Sequence, residues 1–283
     1  MALILLALSA PWLWSFGRAE LGQWRMAEAL DRELDGDLTA ARAAADRAVQ
    51  TAPQSPALRY QRAMIAIAQG DPQAALDDCR LALEKSPQNR HLLVAHMMAA
   101  QMLGHHDDAI RDATQMVETA RAALHGQRPS STTVVEYALA LNSLAYARAQ
   151  AKRDLDQGLQ EINEALQLVN NEPQYRNDPS MLDTRGYLQL LRGELEAADT
   201  DLNQAIGAYE ALLSATINQV QEDAQGLVDQ RAVQREIRHR NESLGVMYQH
   251  RGLVHEASGR KNLAQQDFEA ARKLGYAPDK GVY

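Results

Sequence analysis

Between Ser55 and Pro87 the apolar positions fall into two short series. Leu58, Ala63, Ile65 and Ala66 lead up to Gly70, and Ala75, Leu76, Cys79, Ala82 and Leu83 follow it at steps of three and four. Such steps keep side chains on one face of a 3.6-residue helix, so the pattern predicts two amphipathic helices. Ser55-Pro56 and Asp71-Pro72 offer each helix a side-chain N-cap and a first-turn proline, while Gly70 and Pro87 stop them. Small residues at Ala63 and Ala75 let the two backbones approach to the near end of the usual range of about 8–10 Å.

The hairpin is copied along the chain. Gly36, Gly70 and Gly104 stand 34 residues apart, as do Ala41, Ala75 and Ala109, and Ala45, Cys79 and Ala113. Pro53 and Pro87 keep the same offset, and Arg121 breaks the proline column. A fixed period of this length is the mark of one supersecondary unit in tandem. With its small residue in the first helix, Gly-Asp turn, two alanines in the second helix and closing proline, the unit resembles the tetratricopeptide repeat. The resemblance is carried by Ala29, Gly36-Asp37, Ala41, Ala48 and Pro53 in a unit near 22–54. Ala63, Gly70-Asp71, Ala75, Ala82 and Pro87 carry it near 56–89, where Arg59 replaces the usual bulky aromatic.

Further units are read near 90–123, with Gly104 and Ala109, and near 138–172, with Leu141, Leu144-Ala145-Tyr146 and Ala165-Leu166. A fifth, near 179–212, opens at Asp178-Pro179 and carries Leu182, Gly186, Gly193, Ala198 and Ala205. The sixth, near 245–278, has Tyr248, Gly252, Gly259, Ala264, Phe268 and Ala271, with a helix stop at Lys273-Leu274-Gly275 and Pro278 beyond. The resemblance implies an all-α fold over residues 20–283, a right-handed α-solenoid of about six helix-turn-helix units with irregular insertions. His125 to Pro129 reads as a connecting loop, and the proline-free stretch Ile206–Glu242 is expected to lengthen one helix and add another.

In such a solenoid the first helices line a concave groove that receives partners. The resemblance places Tyr60, Met64, Ile67, Val94, Met98 and Met102 there. Repeats that grip the acidic carboxyl-terminal tails of heat-shock chaperones carry Lys and Asn at these places, so the implied occupant is instead an apolar or amphipathic peptide. The expected function is a non-catalytic adaptor that binds a protein or peptide of unknown identity. A self-associating structural subunit and the non-catalytic repeat portion of a larger membrane sensor or enzyme are the alternatives, and oligomeric state is left open.

Composition supports this picture. The chain is 46% apolar but only 5% aromatic, which suits alanine- and leucine-rich helix packing and not an all-β core. A net charge of −8 disfavours nucleic-acid binding, which needs a clustered positive field. Arg231, Arg235, Arg238 and Arg240 still concentrate positive charge, either as an anionic docking stripe or as a solvated helix face. His91 and His96, like His250 and His255, are five residues apart and so point about 140° away from each other on a helix, a poor metal pair. Cys79 shares a column with Ala45 and Ala113 and reads as a small buried residue. With no phosphate loop, nucleophile elbow or dinucleotide fingerprint, no catalytic residue, cofactor or metal is expected.

The first residues break from the rest. Ala2 to Phe16 holds no charge and two of the three tryptophans. As a helix it would measure roughly 22 Å against a hydrocarbon core of roughly 30 Å. Residues 1–19 therefore read as a signal or membrane anchor, with Gly17-Arg18-Ala19 as a possible cleavage site and an apolar first helix as the alternative. Membrane association or export is the expected localisation, with the cytoplasm as the other choice.

Overall fold

A computed structural model describes residues 2–126, 130–172, 175–221 and 229–276, with side chains from residue 17 onward except at a few helix ends. The described residues form helices and turns, grouped in two compact units, Met1–Leu103 and Gly104–Tyr283. The first holds α1 (Ala2–Leu34), α2 (Leu38–Thr51), α3 (Pro56–Ala68), α4 (Pro72–Leu83) and α5 (Arg90–Met102). The second holds α6 (His106–Gly126), α7 (Ser131–Ala151), α8 (Leu155–Val169), α9 (Pro179–Leu191), α10 (Leu195–Gln221), α11 (Gln230–Ala257) and α12 (Lys261–Lys273).

Local chemistry sets the helix starts. The side chains of Asp37, Ser55, Asp71, Asn89 and Asp178 accept backbone N–H groups in the first turns of α2, α3, α4, α5 and α9, and Ser130 with Thr133 forms a capping box on α7. Pro56, Pro72 and Pro179 occupy the first turn, where a missing N–H costs nothing. Gly70 ends α3 at φ +76°, and Asp71 N–H then reaches back to the Ala66 carbonyl at 2.9 Å. At the corresponding turn between α7 and α8 no glycine is present. Lys152 and Asp154 take the left-handed conformation instead, both at φ 50°.

Within each unit, antiparallel hairpins pack and each second helix meets the first helix of the next hairpin: α1–α2, α3–α4, α2–α3 and α4–α5, then α7–α8, α9–α10, α11–α12, α8–α9 and α10–α11. First helices also touch along the stack, α1 with α3, α3 with α5, α7 with α9 and α9 with α11. Ala63 and Ala75 are fully buried, as are Ala41, Ala45, Ala48 and Cys79. Gly252 goes further: a Cβ there would sit 2.5 Å from the Phe268 ring, so α11 and α12 approach over a missing side chain.

An arginine fork ties neighbouring hairpins together three times. Arg62 in α3 donates Nε and Nη2 to Asp78 in α4 at 2.6 Å each, and Nη1 to Asp46 in the preceding α2 at 2.9 Å. Arg185 makes the same fork on Asp201 at 2.6 and 2.7 Å and reaches back to Asn163 at 3.2 Å. Arg251 repeats it on Asp267 at 2.9 and 2.6 Å and on Asn203 at 2.8 Å. A planar guanidinium satisfies a carboxylate bidentately and keeps a third donor for the neighbouring repeat.

Three expectations change. The stretch Ile206–Glu242 does not add a helix among the described residues. It prolongs α10 to Gln221 and starts α11 early at Gln230, because nothing in either flank stops a helix. The fourth hairpin likewise begins at Ser131, ahead of residue 138, since Ser130 caps it there. α6 runs to Gly126, so the helix takes in His125; positions 127–129 of the expected loop, and Pro278 of the expected stop, lie outside the described residues.

Candidate functional site

The first-helix edges of the two units differ in chemistry. In the first unit Tyr60, Met64, Val94, Met98 and Met102 are half-buried, neither sealed in the core nor fully exposed. They stand in matching registers: Tyr60 and Val94 lie ten residues before a turn glycine, Met64 and Met98 six before it. The Tyr60 ring tilts against His91 at 5.9 Å, and burial together with the neighbouring Cys79 pushes its phenol above the ordinary value. Ile67 does not belong to this edge. It is only 3% exposed: about 60° round the helix from Met64, it already lies inside the hairpin core.

In the second unit the same registers are polar and aromatic. Asp183 and Tyr187 of α9 lie ten and six residues before Gly193, matching Tyr60 and Met64. Asp183 is buried and meets His250 of α11, whose Nδ1 lies 2.9 Å from the Asp183 Oδ1. Tyr187 stacks on the His250 ring with centroids 4.1 Å apart and planes 8° from parallel. Tyr146 of α7 continues the series, its ring 6.5 Å from Tyr187 and its hydroxyl accepting a hydrogen bond from Gln150 at 2.8 Å. Three consecutive first helices thus contribute one rung each.

Burial drives the Tyr146 phenol well above its ordinary value, helped by the negative charge of Asp183. Burial also raises Tyr187 and Tyr276, with Tyr276 and Asp183 adding to the effect on Tyr187. All three stay protonated donors at neutral pH. Tyr276 follows the end of α12 and packs against α11, where a Cβ on Gly245 would come 3.2 Å from the Tyr276 Cβ. His250 and Asp183 are buried, so the half-buried rings of Tyr146 and Tyr187 are the part of this ladder left for contact, and rigid aromatic faces of this kind suit an apolar or proline-containing segment.

The arginine stripe is interrupted. Arg235 and Arg238 are exposed on α11, and the side chain of Arg231 lies outside the described residues. Arg240 leaves the stripe: it pairs with Glu236 at 2.7 Å and sits over the Tyr209 ring at 5.9 Å. Its five-residue step from Arg235 turns it about 140° around the helix. His255 is buried between Asp267 and Asp199, at 3.5 and 3.7 Å, apart from His250. Among the described residues no group of three or more His, Cys, Asp or Glu side chains is placed to hold a metal ion. Cys79 is fully buried in α4.

The sequence matches no protein-family model and no curated protein sequence. Solved structures do match. A tetratricopeptide repeat protein from Parabacteroides merdae aligns over 90% of this chain and 93% of its own at 18% identity, with a TM-score of 0.51. PilW, a type IV pilus biogenesis factor, aligns over 92% and 96% at 14% identity with a TM-score of 0.54. The apo form of RapI aligns over 89% and 97% at 9% identity with a TM-score of 0.58.

The chain has the tetratricopeptide-repeat fold. At these identities the likeness speaks for the fold and leaves the site to its own chemistry. In this chain the small-residue columns are buried in packing, and the first-helix positions noted above, Ile67 apart, are not. The ladder of Tyr146, Tyr187 and His250 was not apparent from the sequence, because Tyr187 and His250 are 63 residues apart. The signal present was register: both lie close before a turn glycine, six residues before Gly193 and nine before Gly259.

Proposed function

We propose that this chain is a non-catalytic adaptor that holds a protein or peptide partner on the first-helix edges of its repeats. The observation that carries the reading is the half-buried apolar series Tyr60, Met64, Val94, Met98 and Met102. Side chains of this kind, flexible and polarizable, fit an apolar or amphipathic segment. In the second unit the half-buried rings of Tyr146 and Tyr187, held from behind by buried His250, supply a more rigid surface for the same kind of segment. With its net charge of −8 and discontinuous arginines, the chain is not a nucleic-acid binder in this reading.

A second element of the proposal concerns anchoring. Helix α1 runs unbroken from Ala2 to Leu34, so the uncharged segment is continuous with the first helix of the first hairpin. Arg18 donates Nε to the Thr51 carbonyl at 2.7 Å at the end of α2, and Gly22 lies against Leu58 and Ala48. Cleavage near Glu20 would remove the group that satisfies that helix end. These contacts favour a retained apolar anchor over a discarded signal. Among the described residues no helix is long and apolar enough to cross a membrane.

Photo-crosslinking in cells tests the adaptor reading. A photoreactive residue at position 98 or 187 is expected to capture a discrete partner, while one at Leu81, exposed on the second helix α4, captures none. Equal capture at all three positions would overturn the assignment of the binding edge.

A further inference from the structure

Trp24 is 68% exposed and Leu21 is 43% exposed, three residues apart on α1. On the opposite side of the same helix Gly22, Met26 and Ala29 are buried in the first hairpin. A tryptophan left this open on an alanine-rich repeat has no packing role. It faces away from α2 and α3, the helices that α1 packs on.

We propose that Leu21 and Trp24 rest in the headgroup region of a phospholipid bilayer, and that α1 meets that bilayer obliquely. The inference depends on the anchor reading above and adds a geometry to it. Trp24 lies about 12 Å beyond Phe16 along the helix axis. The interfacial zone is only about 5–7 Å deep on each side. A helix standing along the membrane normal would carry Trp24 clear of that zone. A strongly tilted helix brings both Leu21 and Trp24 into it, where an indole ring is most at home.

The tilt also sets the first hairpin against the membrane on one side of α1. The buried face, Gly22, Met26 and Ala29, stays turned to α2 and α3, and the repeats extend away from the lipid on that side. A zwitterionic surface isolates the apolar contribution of this pair, since it offers no net charge to a chain of net charge −8.

The test uses the full chain with Trp12→Phe and Trp14→Phe, which leaves Trp24 as the one indole of the original three. The protein is mixed with phosphatidylcholine vesicles and followed by flotation and by tryptophan emission. The expected result is flotation together with a blue shift of Trp24 and loss of quenching by iodide. Flotation with Trp24 still water-exposed would overturn the oblique geometry and leave the anchor standing. Failure to float would remove both. Leu21→Glu with Trp24→Glu, both at exposed positions, is expected to weaken vesicle binding while helical content is retained; unchanged binding would also contradict the inference.

Discussion

The two units use one register for opposite chemistries. Ten and six residues before the turn glycine, the first unit places Tyr60 and Met64, then Val94 and Met98, whereas the second places Asp183 and Tyr187. The hairpins underneath are alike, with small buried columns, capped starts and an arginine fork on the second helix. What differs is the part of the surface that packing leaves free. A repeat scaffold can therefore offer an adaptable methionine edge and a rigid aromatic edge without altering its core.

The forks give the sharpest way to separate the units. Asp201 is held by Arg185, and no second cation reaches it among the described residues, while Asp78 is shared between Arg62 and Arg59, the latter at 2.8 Å. Arg185→Leu leaves a buried carboxylate uncompensated and is expected to cost about 3 kcal/mol. Arg62→Leu should cost nearer 1 kcal/mol, because one charge-assisted partner persists. Urea unfolding of the two variants measures the difference, and equal losses would show that the forks are equivalent.

Gly252→Ala comes next. Its new methyl would collide with the Phe268 ring, and overpacking of this kind costs about 1–3 kcal/mol. Ala63→Gly, at the matching register of the first unit, opens space and costs about 1 kcal/mol through backbone freedom. Thermal melts that ranked these two the other way round would undo the account of close approach in the last hairpin.

The smallest effect expected is a pH dependence confined to the second unit. Burial, then Arg260, holds the His255 imidazole below its ordinary value, partly opposed by Asp267 and Asp199. The unfolded chain therefore takes up a proton first, and stability is lost as pH falls through about 6.5. His255→Gln should flatten that part of the curve in urea titrations. A profile unchanged by the substitution would assign the pH dependence elsewhere.

Much of the fold was legible in the sequence because each hairpin announces itself locally. Asp71-Pro72 starts α4, Gly70 takes a left-handed turn, and Ala63 and Ala75 bring the backbones together, all within one period. The fourth turn was less legible, since Lys152 and Asp154 adopt left-handed backbone without a glycine to mark it. The lengths of α10 and α11 were hidden for the opposite reason: no residue there forbids continuation. At the site, Ile67 was read onto the edge of Met64 because a three-residue step keeps both on one side of a helix, yet the roughly 60° between them is enough to bury it. The pairing of Asp183 with His250 joins helices 67 residues apart, beyond any local pattern.

Partner binding on the first-helix edge is most directly tested with the species captured by crosslinking, titrated against the full chain and three variants. Met64→Ala with Met98→Ala, and separately Tyr187→Ala, should weaken binding, each by roughly tenfold or more if the site is a hot spot, with helical content intact. Leu81→Ala should leave it unchanged. Binding that survives both edge variants, or falls with Leu81→Ala, would place the partner elsewhere on the molecule and contradict the account.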